Sequence, residues 1–226
     1  MLSTFESKRF CQLSIELTAG VLTIALNRPD KKNAIGVEMT LEIESLLNLI
    51  QHDERIKVLL LRGLGGNFST GMDMKDFFDH SDRTPVELAK ARQATNHWRS
   101  RQLRLLNQPI ICAVEGYCLG GAFPMLECAT WVIASDNAIF GLPEINFGFV
   151  PGGPIAKSVG IAMTRRGASY ASLTGRRFNS EQAQKWGLVS QVCAPHECIA
   201  LAQQAAHEMV AQFEKKSNLE QQRFTQ

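Results

Sequence analysis

The sequence has little net charge and no concentrated basic patch. Its 24 Lys and Arg residues nearly balance 22 Asp and Glu residues, which leaves a net charge of +2. The basic residues are dispersed, and short pairs such as RR at 165–166 are too small to hold a phosphate backbone. The composition therefore gives no reason to expect a nucleic acid as the main partner.

Patterned cysteines are also missing. The six cysteines include no C-x-x-C pair and no zinc-type spacing, so no metal site is predicted. Cys112, Cys118 and Cys128 lie in apolar segments, where a free cysteine acts as a small hydrophobic residue. These features predict a reducing cytoplasm. The five histidines form no metal-binding or catalytic pattern and are interpreted as surface or helix residues: His52, His80, His97, His196 and His207.

Four further patterns are absent. No apolar run approaches the length that spans a bilayer, and the first residues, MLSTFESKRF, do not look like a signal peptide, so no membrane partner is expected. There is no G-x-G-x-x-G after a strand and no G-x-x-x-x-G-K-[ST]. A Rossmann dinucleotide site and a phosphate-binding P-loop are therefore both disfavoured.

Strands alternate with helices along the chain, which predicts an α/β fold. A hairpin is expected over 10–26, a strand buried on both faces over 58–61, and another strand over 109–114. Helical spacing predicts helices over 36–51, 85–107 and 196–213, and Ser180 is the expected N-cap of a short helix. We expect one domain over 1–213, followed by a polar, frayed tail over 214–226.

Two glycine turns and one carboxylate are the candidate functional features. The turns are NFSTGMDMK at 67–75 and the double glycine Gly120-Gly121. Main-chain N–H groups at such turns can converge on one carbonyl oxygen and form an oxyanion hole. Glu144 has apolar neighbours, which would raise the pKa of its carboxyl and suit it to proton transfer. From spacing alone, ordinary turns and a surface glutamate are the favoured interpretations, because such features more often have only a structural role.

Five segments carry a joint pattern in chain order: NRPDKKNA at 27–34, NFSTGMDMKDF at 67–77, PIICAVEGYCLGGAF at 109–123, FGLPEINFGFVPGG at 140–153 and LTGRRFNSEQAQKWGLVSQV at 173–192. Together they resemble the enoyl-CoA hydratase/isomerase, or crotonase, superfamily over most of residues 10–212. The resemblance implies a crotonase-like spiral of repeated ββα units. It also implies an enzyme of acyl-CoA (fatty acid-type) metabolism, a lyase or isomerase, that forms homotrimers or hexamers.

The resemblance also implies roles for individual residues. The N–H groups of Met72 and Gly121 would form the oxyanion hole, and Glu144 would be the catalytic acid/base. Asp73 is expected to cap or buttress its turn. The substrate is expected to be a coenzyme A or phosphopantetheine thioester, with no tightly bound cofactor. The residues expected around that thioester are Lys31, Thr70, Gly71, Met72, Asp73, Met74, Lys75, Gly120 and Gly121, and those around the acyl group are Phe77, Phe123, Pro124 and Phe147.

The sequence departs from the family pattern at two places. Pro124 stands where two-acid hydratases carry a second glutamate, and proline offers neither an acid nor an N–H. Glu127 lies on the same helix face as Pro124 and could reach the pocket, but we favour a structural or interface role. We expect the C-terminal helices of the family to be shortened, because only a polar tail follows Phe213.

A single glutamate leaves several activities open. An isomerase-type proton shuttle needs one base. The hydroxycinnamoyl-CoA hydratase-lyase branch, which this chain resembles through GMDMKDFF, GYCLGGAF and FGLPEINFG, also uses one. Phe77 and Pro124 stand where that branch has a tyrosine and a serine, which argues against specific recognition of a phenol. An enzyme acting on carrier-protein thioesters in a polyketide pathway and a weakly catalytic acyl-CoA-binding protein are the remaining alternatives.

Overall fold

The computed structural model describes residues 5–78 and 83–224. Strands and helices alternate along this part of the chain. The strands are β1 (Leu13–Thr18), β2 (Val21–Leu26), β3 (Val58–Gly63), β4 (Ile110–Val114), β5 (Tyr117–Leu119), β6 (Trp131–Ser135), β7 (Ile139–Gly141), β8 (Phe178–Asn179) and β9 (Gln191–Cys193). The helices are α1 (Val37–Ile50), α2 (Met74–Phe78), α3 (Pro85–His97), α4 (Leu103–Leu105), α5 (Phe123–Glu127), α6 (Gly153–Ala162), α7 (Arg165–Thr174), α8 (Ser180–Lys185) and α9 (Cys198–Phe224).

A six-stranded sheet in the order β1-β2-β3-β4-β6-β9 forms the centre of the fold. The predicted hairpin is confirmed, because β1 and β2 pair antiparallel around the turn at Ala19 and Gly20. Every later neighbour pairs in parallel, as the helices between the strands require. The predicted α/β class is therefore confirmed.

A second, three-stranded sheet in the order β5-β7-β8 stands beside the first. Its strands are two or three residues long. Two of them, β5 and β8, were not predicted, because so short a segment shows no period of two in its side chains. β5 leads directly into the glycine turn of Gly120 and Gly121.

The central sheet is covered on both faces. Along β3, Leu59 and Leu61 belong to the main hydrophobic core, whereas Val58 and Leu60 face a smaller core beneath α9. The helix contributes one small or branched residue per turn to that core: Cys198, Ala202, Ala206 and Val210. An all-apolar strand is the expected consequence of burial on both faces.

Three predicted helix boundaries are corrected. The helix predicted over 85–107 is interrupted by the π-helical turn Trp98–Gln102. The N-cap of α8 is Asn179, whose side chain accepts from Gln182 N, and Ser180 is the first helical residue. α9 does not end at Phe213 but continues to Phe224, so the backbone of 214–224 extends the helix instead of forming a frayed tail. Polar residues supply no signal for a boundary when helix propensity is good throughout.

Leu59→Ala should lower the free energy of unfolding by about 2–5 kcal/mol, because the side chain is fully buried between strand and helices and its loss leaves a cavity. Leu173→Ala is the matched control, since Leu173 is 66% exposed and should change stability by no more than about 0.5 kcal/mol. Urea unfolding followed by circular dichroism measures both. Equal effects of the two substitutions would contradict the packing described here.

Candidate active site

The two glycine turns lie side by side because main-chain hydrogen bonds join Ser69, in the first turn, to β5, which precedes the second turn. Ser69 N donates to Tyr117 O at 2.8 Å, and Leu119 N donates to Ser69 O at 3.0 Å. This small parallel bridge continues the register from β5 into the loop that follows β3. The turn at 67–75 and the turn at 120–121 are therefore held at a fixed distance from each other.

A buried asparagine fixes the loop around the first turn. Asn33 Nδ2 donates to Leu64 O at 2.9 Å and to Asn67 O at 2.7 Å, and Asn33 Oδ1 accepts from Arg28 N at 2.8 Å. The backbone of Asn33 is left-handed, with φ of 55°, which asparagine tolerates better than most residues. Ser69 Oγ donates to Asn33 O at 2.7 Å. The motif NRPDKKNA thus positions the first turn through Asn33.

Asp73 caps the helix that follows the first turn, as expected. Its Oδ1 accepts from Lys75 N at 3.1 Å and Asp76 N at 3.2 Å, and its Oδ2 accepts from Arg28 Nη1 at 2.7 Å. Burial alone would raise the pKa of Asp73, but the Arg28 hydrogen bond and the N–H donors outweigh it and hold the pKa below its usual value. Both carboxylate oxygens are thereby engaged in fixing the turn.

The glycines leave a surface of main chain free of side chains. Gly71 has φ of +83°, and a Cβ there would lie 2.5 Å from Leu119 O and 3.0 Å from Gly121 N. A Cβ on Gly121 would lie 3.2 Å from Met72 N. Gly121 is in the first turn of a 3-10 helix, where N–H groups have no intrahelical acceptor, and no hydrogen bond among the described residues occupies Met72 N–H. The two N–H groups are suited to share one ligand oxygen.

Glu144 lies beside this surface and is nearly buried. It belongs to the 3-10 helix Pro143–Phe147, is 8% exposed, and its Oε1 lies 2.7 Å from the position of a Cβ on Gly120. Its Oε2 has no hydrogen-bond partner among the described residues. Burial raises the pKa of Glu144, and this effect outweighs the lowering by its own main-chain N–H and by the charge of Arg99. The carboxyl can therefore exchange a proton nearer to neutral pH than an exposed glutamate.

Arg99 reaches the same surface and was not predicted. It lies on the π-helical turn Trp98–Gln102, is 4% exposed, and its Nη2 lies 2.7 Å from the position of a Cβ on Gly121. Burial lowers the pKa of Arg99 to about 10, against the raising influence of Glu144. The sequence gives no signal for it, because Arg99, Arg101 and Arg104 all stand in one polar helix and only the fold distinguishes them.

The residues expected around the thioester form a rim of mixed exposure. Gly71, Gly120 and Gly121 are buried, Thr70, Met72 and Asp73 are half-buried, and Lys31, Met74 and Lys75 are exposed. Lys31 ends the 3-10 helix Pro29–Lys31, and the neighbouring Lys32 ammonium lies 4.8 Å from the ring centroid of Tyr117. The rim thus carries positive charge.

The four residues expected around the acyl group do not form one lining. Phe123 and Pro124 are buried at the start of α5. Phe77 is fully buried in a separate cluster with Val37 and Leu88. Phe147 is 61% exposed and lies 6.5 Å from the ring of Phe149. Aromatic composition indicates hydrophobic contact, but only the fold decides whether that contact is with core, solvent or a ligand.

The other residues with reactive side chains are paired with neighbouring side chains or buried in the core. Glu127 pairs with Arg104, which fits its expected structural role. Burial raises the pKa of Cys112, Cys118 and Cys128, so these thiols stay protonated. His97 contacts Glu44 at 2.8 Å, and His80 lies outside the described residues.

Across residues 5–78 and 83–224, we find no group of three or more His, Cys, Asp or Glu side chains arranged to hold a metal ion. Within the same ranges, none of the helices combines the length and apolar character that crossing a membrane requires.

The fold and the site define a class of protein: an α/β protein in which the N–H groups of Met72 and Gly121 lie beside the nearly buried carboxyl of Glu144. Comparison with known proteins identifies the family. Residues 16–225 match the family model described as enoyl-CoA hydratase/isomerase. The chain belongs to this family, the crotonase superfamily.

Individual relatives agree with this assignment. The chain is 34% identical to a hydroxycinnamoyl-CoA hydratase-lyase of Pseudomonas fluorescens, over 84% of this chain and 69% of the relative. It is also 34% identical to a mevalonyl-coenzyme A hydratase of Aspergillus fumigatus, over 84% of this chain and 68% of the relative. A crystal structure of an enoyl-CoA hydratase/isomerase from Marinobacter aquaeolei superimposes with a TM-score of 0.79 at 29% identity, covering 88% of this chain and 76% of that one.

Glu144 should make the folded protein lose stability as the pH rises. The pKa of Glu144 is higher in the folded chain than the ordinary value of 4.5. In the pH window between that ordinary value and the folded-state pKa, the folded state binds more protons than the unfolded state. The unfolding free energy of the wild type should therefore fall relative to that of Glu144→Gln as the pH rises through this window. Urea denaturation at a series of pH values measures the difference.

Glu87→Gln provides a control of opposite sign. Hydrogen bonds from the main chain and side chain of Thr84 lower the pKa of Glu87. Relative to this variant, the wild type should gain stability as the pH rises through the ordinary glutamate range. The same sign for both variants would contradict the assigned environment of Glu144.

Proposed function

We propose that this protein is a thioester enzyme that stabilises an enolate and transfers a proton with one carboxylate. The observation that carries the proposal is the approach of Gly121 to Met72, with a 3.2 Å separation between Met72 N and a Cβ position on Gly121, next to the nearly buried Glu144. Family membership supports acyl-CoA thioesters as the substrate class.

Met72 and Gly121 would donate their N–H groups to the thioester oxygen. When a proton leaves the α-carbon, negative charge moves onto this oxygen, and fixed donors in a site that excludes water stabilise that charge most. The hydrogen bonds of Ser69, Asn33 and Asp73 hold the two donors in place before substrate binds. Little reorganisation is then needed at the moment of reaction.

Glu144 would remove a proton from the substrate and return it elsewhere. A carboxyl whose pKa is raised by burial is a stronger base when ionised and a usable acid when protonated. Pro124 offers no second acid, and Glu127 is engaged by Arg104. A single-carboxylate reaction therefore fits this chain better than hydration by two acids, and proton transfer along an enolate is the reaction we favour.

The thioester would enter across the positively charged rim. Lys31 is exposed at the end of its 3-10 helix, where its ammonium can approach the phosphates of coenzyme A or of phosphopantetheine. The glycine-bearing segment that follows Ser69 leaves room for the thin pantetheine chain next to the main chain. A homotrimer or hexamer, implied by the family resemblance, remains a prediction.

Hydratase-lyase chemistry is the second candidate. It is favoured by the 34% identity with a relative of that name. It also needs an oxyanion hole and one carboxylate. Phe77, buried in an apolar cluster, offers no hydrogen bond to a phenol. Incubation with feruloyl-CoA separates the two candidates, because a lyase releases vanillin, whereas an isomerase leaves feruloyl-CoA unchanged, since its β-carbon bears the aromatic ring and offers no γ-proton to move.

Glu144→Gln should lower turnover of enoyl-CoA substrates by about 10²–10⁴-fold, because glutamine keeps the shape of the side chain but cannot accept or return a proton. Binding of the thioester should persist, since the two N–H donors are unchanged. Mass spectrometry of a panel of acyl-CoAs measures turnover, and isothermal calorimetry measures binding.

Glu127→Gln is a control for loss of a buried carboxylate that does not face the substrate. It should affect stability more than the proton-transfer step, because it weakens the pair with Arg104. Unchanged turnover in Glu144→Gln would contradict the proposed mechanism. Tight thioester binding without turnover by the wild type would instead favour an acyl-CoA-binding protein.

Gly121→Ala should lower turnover by about 10²–10³-fold, the usual effect of losing one oxyanion donor. The added methyl group would lie 2.7 Å from Arg99 Nη2 and 3.2 Å from Met72 N, so it displaces groups at the site where the oxygen should bind. Gly160→Ala is the matched control, because its Cβ meets nothing within 4 Å. Equal activity of the two variants, measured with the same enoyl-CoA, would contradict the assignment of Gly121 as an oxyanion donor.

A further inference from the structure

Arg99 is a buried cation whose donors are unused. Its Nε and Nη2 have no hydrogen-bond partner among the described residues, although the side chain is only 4% exposed. Its guanidinium lies 4.9 Å from the centroid of the Trp98 ring, a contact that offers no hydrogen-bond acceptor to these two atoms. At neutral pH the group is charged, because even with burial its pKa stays near 10. Burying a cation without a counterion is unfavourable, so a structural role does not explain it.

Other arginines with limited exposure show what structural pairing looks like in this chain. Arg104, from the same helical segment, also has Nε and Nη2 without a hydrogen-bond partner, but its Nη1 pairs with Glu127. Arg28 pairs with Asp73 at 2.7 Å. Arg99 has no carboxylate within 4 Å in the described part of the chain. Glu144 attracts it only at longer range, and Glu144 Oε2 is itself without a partner. Two opposite charges thus face one surface without touching.

The position of Arg99 places its charge next to the reacting part of a bound thioester. Nη2 lies 2.7 Å from the Cβ position of Gly121, the residue that carries one proposed oxyanion donor. On the proposed function, the guanidinium therefore lies close to the position of the thioester carbonyl, whereas Lys31 is exposed at the rim. An anion that pairs with Arg99 must belong to the acyl group itself or to the thioester oxygen.

The two unpartnered nitrogen atoms of Arg99 distinguish a carboxylate on the acyl group from the thioester oxygen. Nε and Nη2 form one edge of the planar guanidinium, and this edge donates two parallel hydrogen bonds to the two oxygens of a carboxylate. A thioester oxygen is a single acceptor and already has two proposed N–H donors. A carboxylate on a short acyl chain fits both the number of free donors and their geometry.

We propose that Arg99 binds a carboxylate of the acyl group, so that the preferred substrates are thioesters of short dicarboxylic acids. This inference rests on the proposed thioester function. The carboxylate neutralises the buried guanidinium and fixes the acyl chain beside Glu144. A neutral acyl chain of the same length leaves Arg99 without a counterion and binds more weakly.

Glutaconyl-CoA and crotonyl-CoA test this proposal, because both are short enoyl thioesters and only the first carries a second carboxylate. Calorimetry on the full chain in the Glu144→Gln background measures binding without turnover. Glutaconyl-CoA should bind at least about 30-fold more tightly than crotonyl-CoA, as expected for a buried charge pair. Adding Arg99→Gln should remove this preference and change crotonyl-CoA affinity by less than about threefold.

Two further variants make the test specific. Arg101→Gln, on the same π-helical turn but exposed, should keep the full preference. Arg99→Lys should keep part of it, because lysine supplies the charge without the two parallel donors. Thermal unfolding of the free Arg99→Gln protein checks that it folds, and its midpoint should not fall, since the substitution removes an unpaired buried cation.

The outcomes separate this proposal from the proposed function. Turnover of neutral enoyl-CoA by the enzyme with intact Glu144, without a preference for glutaconyl-CoA, would overturn the carboxylate site alone. An equal loss of affinity for both thioesters on Arg99→Gln would also overturn it and would assign Arg99 to the thioester oxygen. Failure to bind either thioester would overturn the proposed function as well.

Discussion

The short main-chain bridge between Ser69 and β5 is the contact on which the rest of the site depends. Neither turn alone makes an oxyanion hole, because each offers one N–H group. The bridge fixes the end of β5 against the loop after β3, and the glycines then allow an approach that any side chain would block. The central sheet holds the preceding strands in place, since β3 and β4 are paired in parallel and packed on both faces.

Charge at the site is balanced differently from charge elsewhere in the protein. Asp73 and Glu127 each have an arginine partner, and their oxygens are engaged in holding loops and helices. Glu144 and Arg99 are buried without such contacts, although they attract each other through the site. Unsatisfied polar groups of this kind reduce stability, and they are found mainly where a ligand completes the arrangement. The departure at Pro124 fits this view, because the chain places the cation of Arg99 beside Gly121 and lacks a second acid in the expected position.

Motifs with a local physical cause were predictable, and those that depend on packing were not. The glycine turns and Glu144 could be found because backbone freedom and apolar flanks are visible along the chain. Asp73 was expected to cap its turn, and it does so. The aromatic residues were harder: Phe77 packs in a core cluster and Phe147 is exposed, although their composition suggested one pocket. α9 continues past Phe213 to Phe224, and the polar sequence there gives no sign of its end, because good helix formers carry no stop signal.

The sequence by itself determined the α/β class, the family and the residues with the chemistry for an oxyanion hole and a proton carrier. These depend on local periodicity and on motifs in a fixed order, which can be observed in one dimension. Only the tertiary structure decided that Met72 and Gly121 lie next to each other, that Glu127 is engaged with Arg104, and that Arg99 lies beside Gly121. Each of these facts joins residues more than twenty positions apart, and such proximity arises from strand pairing and helix packing.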